Sequence, residues 1–207
     1  MDDAESCRDQ PPLSRETVER FSPTAVRYAE SIRRTLVVLR IRGRAALKDD
    51  DPLQTLHPSP NCDQRPEGIA IDTIVLHATV LNTLEEVIEK FSDPHSRVSA
   101  HYTIDRDGML VCHVPERLRA WHAGQSKMKD GREGVNDFSI GIELVNLNDG
   151  EDPFPEAQIQ ALRQLLTAIV ARHPIRYIVT HYECADPPGR KSDPVGFQRN
   201  WIEGIPD

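Results

Sequence analysis

Residues 71–77 read IDTIVLH, a run rich in β-branched side chains that stops at a histidine. Val, Ile and Thr suit the pleated surface of a sheet better than the crowded turns of a helix, so the run predicts a buried strand. Side chains alternate faces along a strand, which puts His77 on the face of Val75 and Thr73, at the point where the strand ends. A second run, FSIGIELV at residues 138–145, divides in the same way. Phe138, Ile140, Ile142 and Leu144 take an apolar face, and Ser139, Gly141 and Glu143 take the other. Gly141 has no side chain and leaves open space beside Glu143. A third, shorter run, Tyr177-Ile178-Val179-Thr180, delivers His181.

Around these strands the period changes. Thr83 with Glu86 forms a capping box for a helix over about residues 84–91. From near Pro155, the residues Ile159, Leu162, Leu165, Leu166, Ile169 and Val170 recur at three- and four-residue steps and make one apolar stripe of a helix. Residues 101–105 and 109–114 flank Asp107-Gly108, a hairpin signal that adds an antiparallel pair. Strands interleaved with helices predict an α/β fold, a central mixed β-sheet flanked by helices. Upstream, residues 48–68 are rich in Pro, Asp and Asn and read as a linker or lead-in loop. Ser14 and Ser22-Pro23 are helix starts, predicting helices over 14–21 and 23–39. The chain therefore divides into a partly helical N-terminal extension, residues 1–56, and a main domain, residues 57–207.

The composition bounds the function. With 207 residues, 38% hydrophobic and 28% charged, the chain is an ordinary globular sequence with material for a sizeable core. A formal net charge of −8 argues against a general nucleic-acid binder, which needs a basic face for phosphates. Between Arg27 and Lys48 the balance reverses, with Glu30 the sole acid, and this reads as a solvated helix face. Cys7, Cys62, Cys112 and Cys184 lie far apart, form no CxxC pair and imply no disulfide framework. Asp2, Asp3, Glu5, Asp9, Glu16 and Glu19 are unlike a targeting leader, and no apolar run approaches the ~20 residues of a membrane span. A cytoplasmic protein with no transmembrane segment is expected, or an exported one if the true start differs.

His77, Glu143 and His181 all lie at or just past strand ends, and such ends can converge at one edge of a sheet, where α/β scaffolds build their sites. Two histidines and one carboxylate there make a three-ligand zinc site with a fourth position left for water. Asp193 is the carboxylate of choice, because the proline- and glycine-rich loop after His181 can fold it back, with Lys191 nearby. Glu143 is then free to move protons. No HExxH motif is present, which argues against a zinc peptidase of another class.

Five segments widen this reading: IVLHAT (74–79), VSAHYTIDRDG (98–108), RAWHAG (119–124), NDFSIGIELV (136–145) and GRKSDP (189–194). In this order they resemble the zinc-dependent N-acetylmuramoyl-L-alanine amidases of the type 2 family, which share a fold with peptidoglycan recognition proteins. The resemblance is greatest to the anhydro-muropeptide amidases of cell-wall recycling and covers roughly residues 57–201. It implies one Zn2+ per chain held by His77, His181 and Asp193, with Glu143 as catalytic base and Lys191 steadying the oxyanion. It also implies that Trp121 and His122 line the groove for the sugar and peptide. Zinc-retaining recognition proteins of this fold can use cysteine as third ligand, which makes Cys184 the rival of Asp193, but the GRKSDP context favours Asp193. The implied reaction is hydrolysis of the amide between N-acetylmuramic acid, or its anhydro form, and the L-alanine of the stem peptide. The alternative is a module that recognises peptidoglycan or a muropeptide without cleaving it. His57, His95 and His173 read as solvated or capping, and His101 and His113 as a structural pair across the hairpin.

Overall fold

The computed structural model describes residues 54–205. The helices expected at 14–21 and 23–39 lie outside the described residues. In chain order the elements are β1 (Gln54–Leu56), β2 (Cys62–Gln64), β3 (Thr73–Ala78), α1 (Leu84–Ser92), β4 (Tyr102–Ile104) and β5 (Leu110–Cys112). They continue with β6 (Leu118–Ala120), β7 (Ser139–Leu144), α2 (Glu156–Val170), β8 (Tyr177–Thr180) and α3 (His181–Cys184). Short 3-10 turns occupy Val135–Phe138 and Arg199–Ile202.

Six strands form one mixed sheet in the order β1-β5-β4-β7-β3-β8, and β2 pairs with β6 in a small antiparallel ribbon. The sheet is parallel except for the β4–β5 pair, the hairpin that Asp107-Gly108 foretold. Gly108 has φ 90°, and a Cβ there would lie 2.9 Å from the Ala157 carbonyl oxygen, so both the turn and the approach of α2 require glycine.

The alternation read from β3 and β7 decides which side of the sheet carries the core, except at Phe138, which ends the 3-10 turn before β7 and packs with Val75 on the opposite side. Ile74, Leu76, Ile140, Ile142, Leu144 and Ile104 pack with Leu162, Leu165, Leu166 and Ile169 of α2 in one buried cluster. Even the polar Gln158 of α2 is buried, and it donates to the carbonyls of Ile104 and Val145 at 3.0 and 3.1 Å. The opposite face is covered in two patches. Leu84, Val87 and Phe91 of α1 pack on Ala100, Val111 and Val145, and the 123–138 segment packs on Val75 and Cys184. α1 begins at the expected capping box, where the Thr83 hydroxyl accepts from the Glu86 N–H at 3.3 Å.

In the stretch expected to be a loop, the described residues 54–68 contain two short strands. Gln54–Leu56 pairs in parallel with β5, and Cys62–Gln64 pairs with β6. These three-residue strands exist because tertiary neighbours offer them a ladder, and their Pro- and Asp-rich context hides them in the sequence. No helix among the described residues is long and apolar enough to cross a membrane.

Candidate active site

Sheet register builds the site. Across β4, β7 and β3, Thr103 pairs with Glu143 and Glu143 with His77, so the three stand side by side on the face opposite α2. β8 runs parallel to β3 and ends at Thr180, and α3 starts at once with His181. Glu183 reaches back to accept from the Thr180 N–H at 2.8 Å and the Thr180 hydroxyl at 3.0 Å, which fixes the turn that aims His181. The next segment returns Asp193, its carbonyl accepting from the Tyr182 N–H at 3.0 Å.

His77, His181 and Asp193 lie together. His77 Nδ1 lies 3.0 Å from His181 Nδ1, and Asp193 Oδ2 lies 3.3 Å from the first and 3.1 Å from the second. All three residues are buried, and their ligand atoms fall within 4.8 Å of one another. The other nitrogen of each ring is engaged elsewhere. His181 Nε2 donates to the Ala123 carbonyl at 3.1 Å, because a carbonyl can only accept, so in the neutral ring Nδ1 presents a lone pair. His77 Nε2 lies 3.0 Å from His122 Nδ1. Burial pulls the His77 pKa down to about 4, so the ring is neutral at pH 7. Burial pushes the Asp193 carboxyl up, yet the His181 and His77 rings packed against it outweigh burial and hold the group well below the usual carboxylate range. Two imidazoles and a carboxylate turned onto one point are a donor set that fits a divalent cation.

Glu143 stands beside this group. Its Oε2 is buried and has no hydrogen-bond partner, and burial, with Asp193 adding to it, pushes its pKa up to about 8. Lys191 is exposed, and its charge opposes that rise. Cys184, the rival third ligand, is outside the ligand group. Its Sγ faces the His181 carbonyl at 3.7 Å within the cluster of Val75, Ala123, Met128, Val135 and Phe138, and burial pushes the thiol up to about 12.

The RAWHAG segment packs beside the His77, His181 and Asp193 group. Trp121 is half-buried. The space left by Gly141 is filled by the His122 ring, since a Cβ at Gly141 would lie 2.4 Å from His122 Cγ. Both ring nitrogens of His122 are engaged inside the protein, Nδ1 with His77 and Nε2 with Ser139 Oγ at 3.1 Å. The backbone that carries the ring is pinned by Asn136, whose Oδ1 accepts from the His122 and Ala123 N–H groups at 3.3 and 2.8 Å. Arg190 ties the 186–190 loop to the same segment, donating to the Ala123 carbonyl at 2.9 Å. Sequence reasoning missed Asn136, Ser139, Glu183 and Arg190 as parts of the site. Only Glu183 had a local signal, the Thr180-x-x-Glu183 box.

His101 and His113 keep to the structural reading through different partners. His101 Nε2 contacts the Leu118 carbonyl at 3.1 Å, and His113 is held by the His57 carbonyl and Thr103 Oγ1, both at 3.0 Å. His173 is engaged with Glu116 at 2.7 Å.

Residues 67–196 match the N-acetylmuramoyl-L-alanine amidase family. The chain is 37% identical over 156 residues to the 1,6-anhydro-N-acetylmuramyl-L-alanine amidase AmpD of Citrobacter freundii, covering 66% of this chain and 81% of that one. It is 35% identical over 140 residues to the N-acetylmuramoyl-L-alanine amidase AmiD of Escherichia coli, covering 60% and 49%. Among solved structures, an AmpD derivative superposes with a TM-score of 0.67 at 32% identity, covering 77% of this chain and 99% of that one. The Escherichia coli AmiD complex with anhydro-N-acetylmuramic acid-L-Ala-D-gamma-Glu-L-Lys superposes with a TM-score of 0.54 at 32% identity, covering 63% and 56%. The match spans the strands that bear His77 and Glu143 and the loop that bears Asp193, and the chain belongs to the N-acetylmuramoyl-L-alanine amidase family.

Proposed function

We propose that the chain is a zinc-dependent amidase of cell-wall recycling that cleaves the amide between anhydro-N-acetylmuramic acid and the L-alanine of the stem peptide. The observation that carries this reading is the convergence of His77 Nδ1, His181 Nδ1 and Asp193 Oδ2 beside a buried, unpartnered Glu143 oxygen. His77, His181 and Asp193 would hold one zinc ion, which when bound supplies Lewis acidity to the substrate carbonyl and acidifies water. Glu143 takes the proton of the attacking water at its carboxylate and hands it to the leaving amine of L-alanine. Lys191, two residues ahead of Asp193, sets its ammonium against the oxyanion that develops on the carbonyl. Trp121 borders the groove for the sugar and peptide.

The AmpD relatives are named for the anhydro sugar and the ligand of the AmiD complex carries it, which supports that sugar as the substrate feature. The test is incubation of the purified protein with anhydro-muropeptides and, separately, with intact peptidoglycan, each with and without a chelator, followed by mass spectrometry for free stem peptide. Release from the anhydro fragments that stops on chelation and returns with zinc is the expected result. Binding without release at any zinc level leaves a recognition module, and faster release from intact wall overturns the substrate assignment.

A further inference from the structure

We propose that His122 is a positioning residue that fixes His77 in the tautomer able to bind a metal through Nδ1, acting through a directional hydrogen-bond chain that ends on a backbone carbonyl. The inference rests on the metal-ligand reading of His77.

The direction of the chain follows from its far end. Ser139 Oγ lies 2.6 Å from the Val135 carbonyl, which can only accept, so the single hydroxyl proton of Ser139 is committed there. The same oxygen lies 3.1 Å from His122 Nε2 and must accept, so Nε2 carries the ring proton of His122. In a neutral imidazole the other nitrogen is then an acceptor. His122 Nδ1 lies 3.0 Å from His77 Nε2, and His77 Nε2 must donate to it. That leaves His77 Nδ1 as a bare lone pair, facing His181 Nδ1 and Asp193 Oδ2. Reversing a bond of the chain would leave two lone pairs facing each other at Ser139 Oγ, toward either His122 Nε2 or the Val135 carbonyl, whereas the lone pairs that converge at the other end, on His77, His181 and Asp193, are what a cation would bind.

The ring is also held in place. His122 lies against the bare Gly141 of β7, in space that an alanine Cβ would invade at 2.4 Å, and Asn136 grips its backbone N–H. The two imidazole ligands are thus oriented from adjacent positions of one segment, His77 by the side chain of His122 and His181 by the carbonyl of Ala123. Partners of this kind fix ring orientation and raise ligand basicity, and losing one costs about 10–100-fold in metal affinity.

The test measures zinc affinity by competition with a chromophoric chelator for the wild type, His122→Phe and His122→Asn, with the melting temperature of each metal-free protein. Phe keeps the ring over Gly141 but offers no acceptor, whereas the Asn amide oxygen can stand where Nδ1 stood. The expected result is a loss of roughly tenfold or more for H122F and recovery to within a few-fold of wild type for H122N, both folded. Nitrogen-15 NMR of the zinc-loaded wild type gives a second readout that no misfolded variant can spoil, since His122 must be the Nε2–H tautomer with Nδ1 unprotonated. Wild-type affinity in a folded H122F, or an Nδ1–H tautomer of His122, overturns the positioning role. A wild type that binds no zinc at all overturns the metal reading beneath it, so the two failures are distinguishable.

Discussion

Asp193 and Cys184 follow His181 in the same excursion of chain, and their surroundings sort them. The Asp193 carboxylate is held ionised by two imidazoles, while the Cys184 thiol is pushed up to about 12 by burial among apolar side chains. A thiol must lose its proton to bind zinc, so the environment favours the carboxylate. Asp193→Ala should therefore lose most of the zinc that the wild type carries, whereas Cys184→Ser should keep about one per chain, as measured by elemental analysis. Glu143 supports a second prediction with a definite sign. Its folded-state pKa is raised from 4.5 to about 8, so the metal-free fold favours the protonated acid. The stability it lends is full below pH 4.5 and is lost as pH rises through about 8. Glu143→Gln should remove that decline, leaving the metal-free variant roughly 1–3 kcal/mol more stable than wild type at pH 8.5 by urea unfolding, the usual cost of a buried unpaired polar group. The same variant should retain zinc while losing at least about 100-fold in turnover, the scale expected for a positioned base.

Elements differ in how plainly the sequence announced them. β3, β7 and β8 were legible because their β-branched runs are long enough to show alternation, and α1 and α2 because a capping box and an apolar stripe mark them. His77, Glu143 and His181 were legible with them, since strand ends fix where such residues stand. β1, β2 and β6 are three residues each, too short for a period, and they are created by their partners. The role of His122 was illegible for a related reason. Nothing near RAWHAG in the chain says that the ring will fill the gap over Gly141 and meet Ser139. α3 is a four-residue element whose single local cue is the Thr180–Glu183 box, and Glu183 is also paired with Arg199. Glu183→Ala removes both bonds to Thr180 at the base of His181 and should cost about 1–2 kcal/mol in chemical denaturation. It should also weaken zinc binding, because the turn that aims His181 is no longer fixed. Unchanged stability together with unchanged zinc affinity would show that β8 alone places the ligand.

At the scale of the whole molecule, the three residues that could hold a metal ion arrive from the end of β3, the first residue of α3 and the loop carrying Asp193, segments that only the finished sheet brings together. The unfolded chain has no such convergence, so a bound metal stabilises the native state almost alone, and its contribution grows as RT ln(1 + [L]/Kd), about 2.7 kcal/mol at 100-fold excess over Kd. For a domain of this size each kcal/mol moves the melting temperature by roughly 2–4 °C. Stripping the metal from wild type should therefore lower Tm by roughly 5–10 °C in differential scanning calorimetry, and adding zinc back should restore it. Asp193→Ala should melt at the same temperature with or without chelator, because the site it disables is the one through which zinc acts on stability. A chelator effect that persists in Asp193→Ala would mean that metal binds and stabilises the chain elsewhere. Equal melting temperatures for loaded and stripped wild type would mean that the ligand group forms no tight site, and the hydrolytic assignment would fail with it.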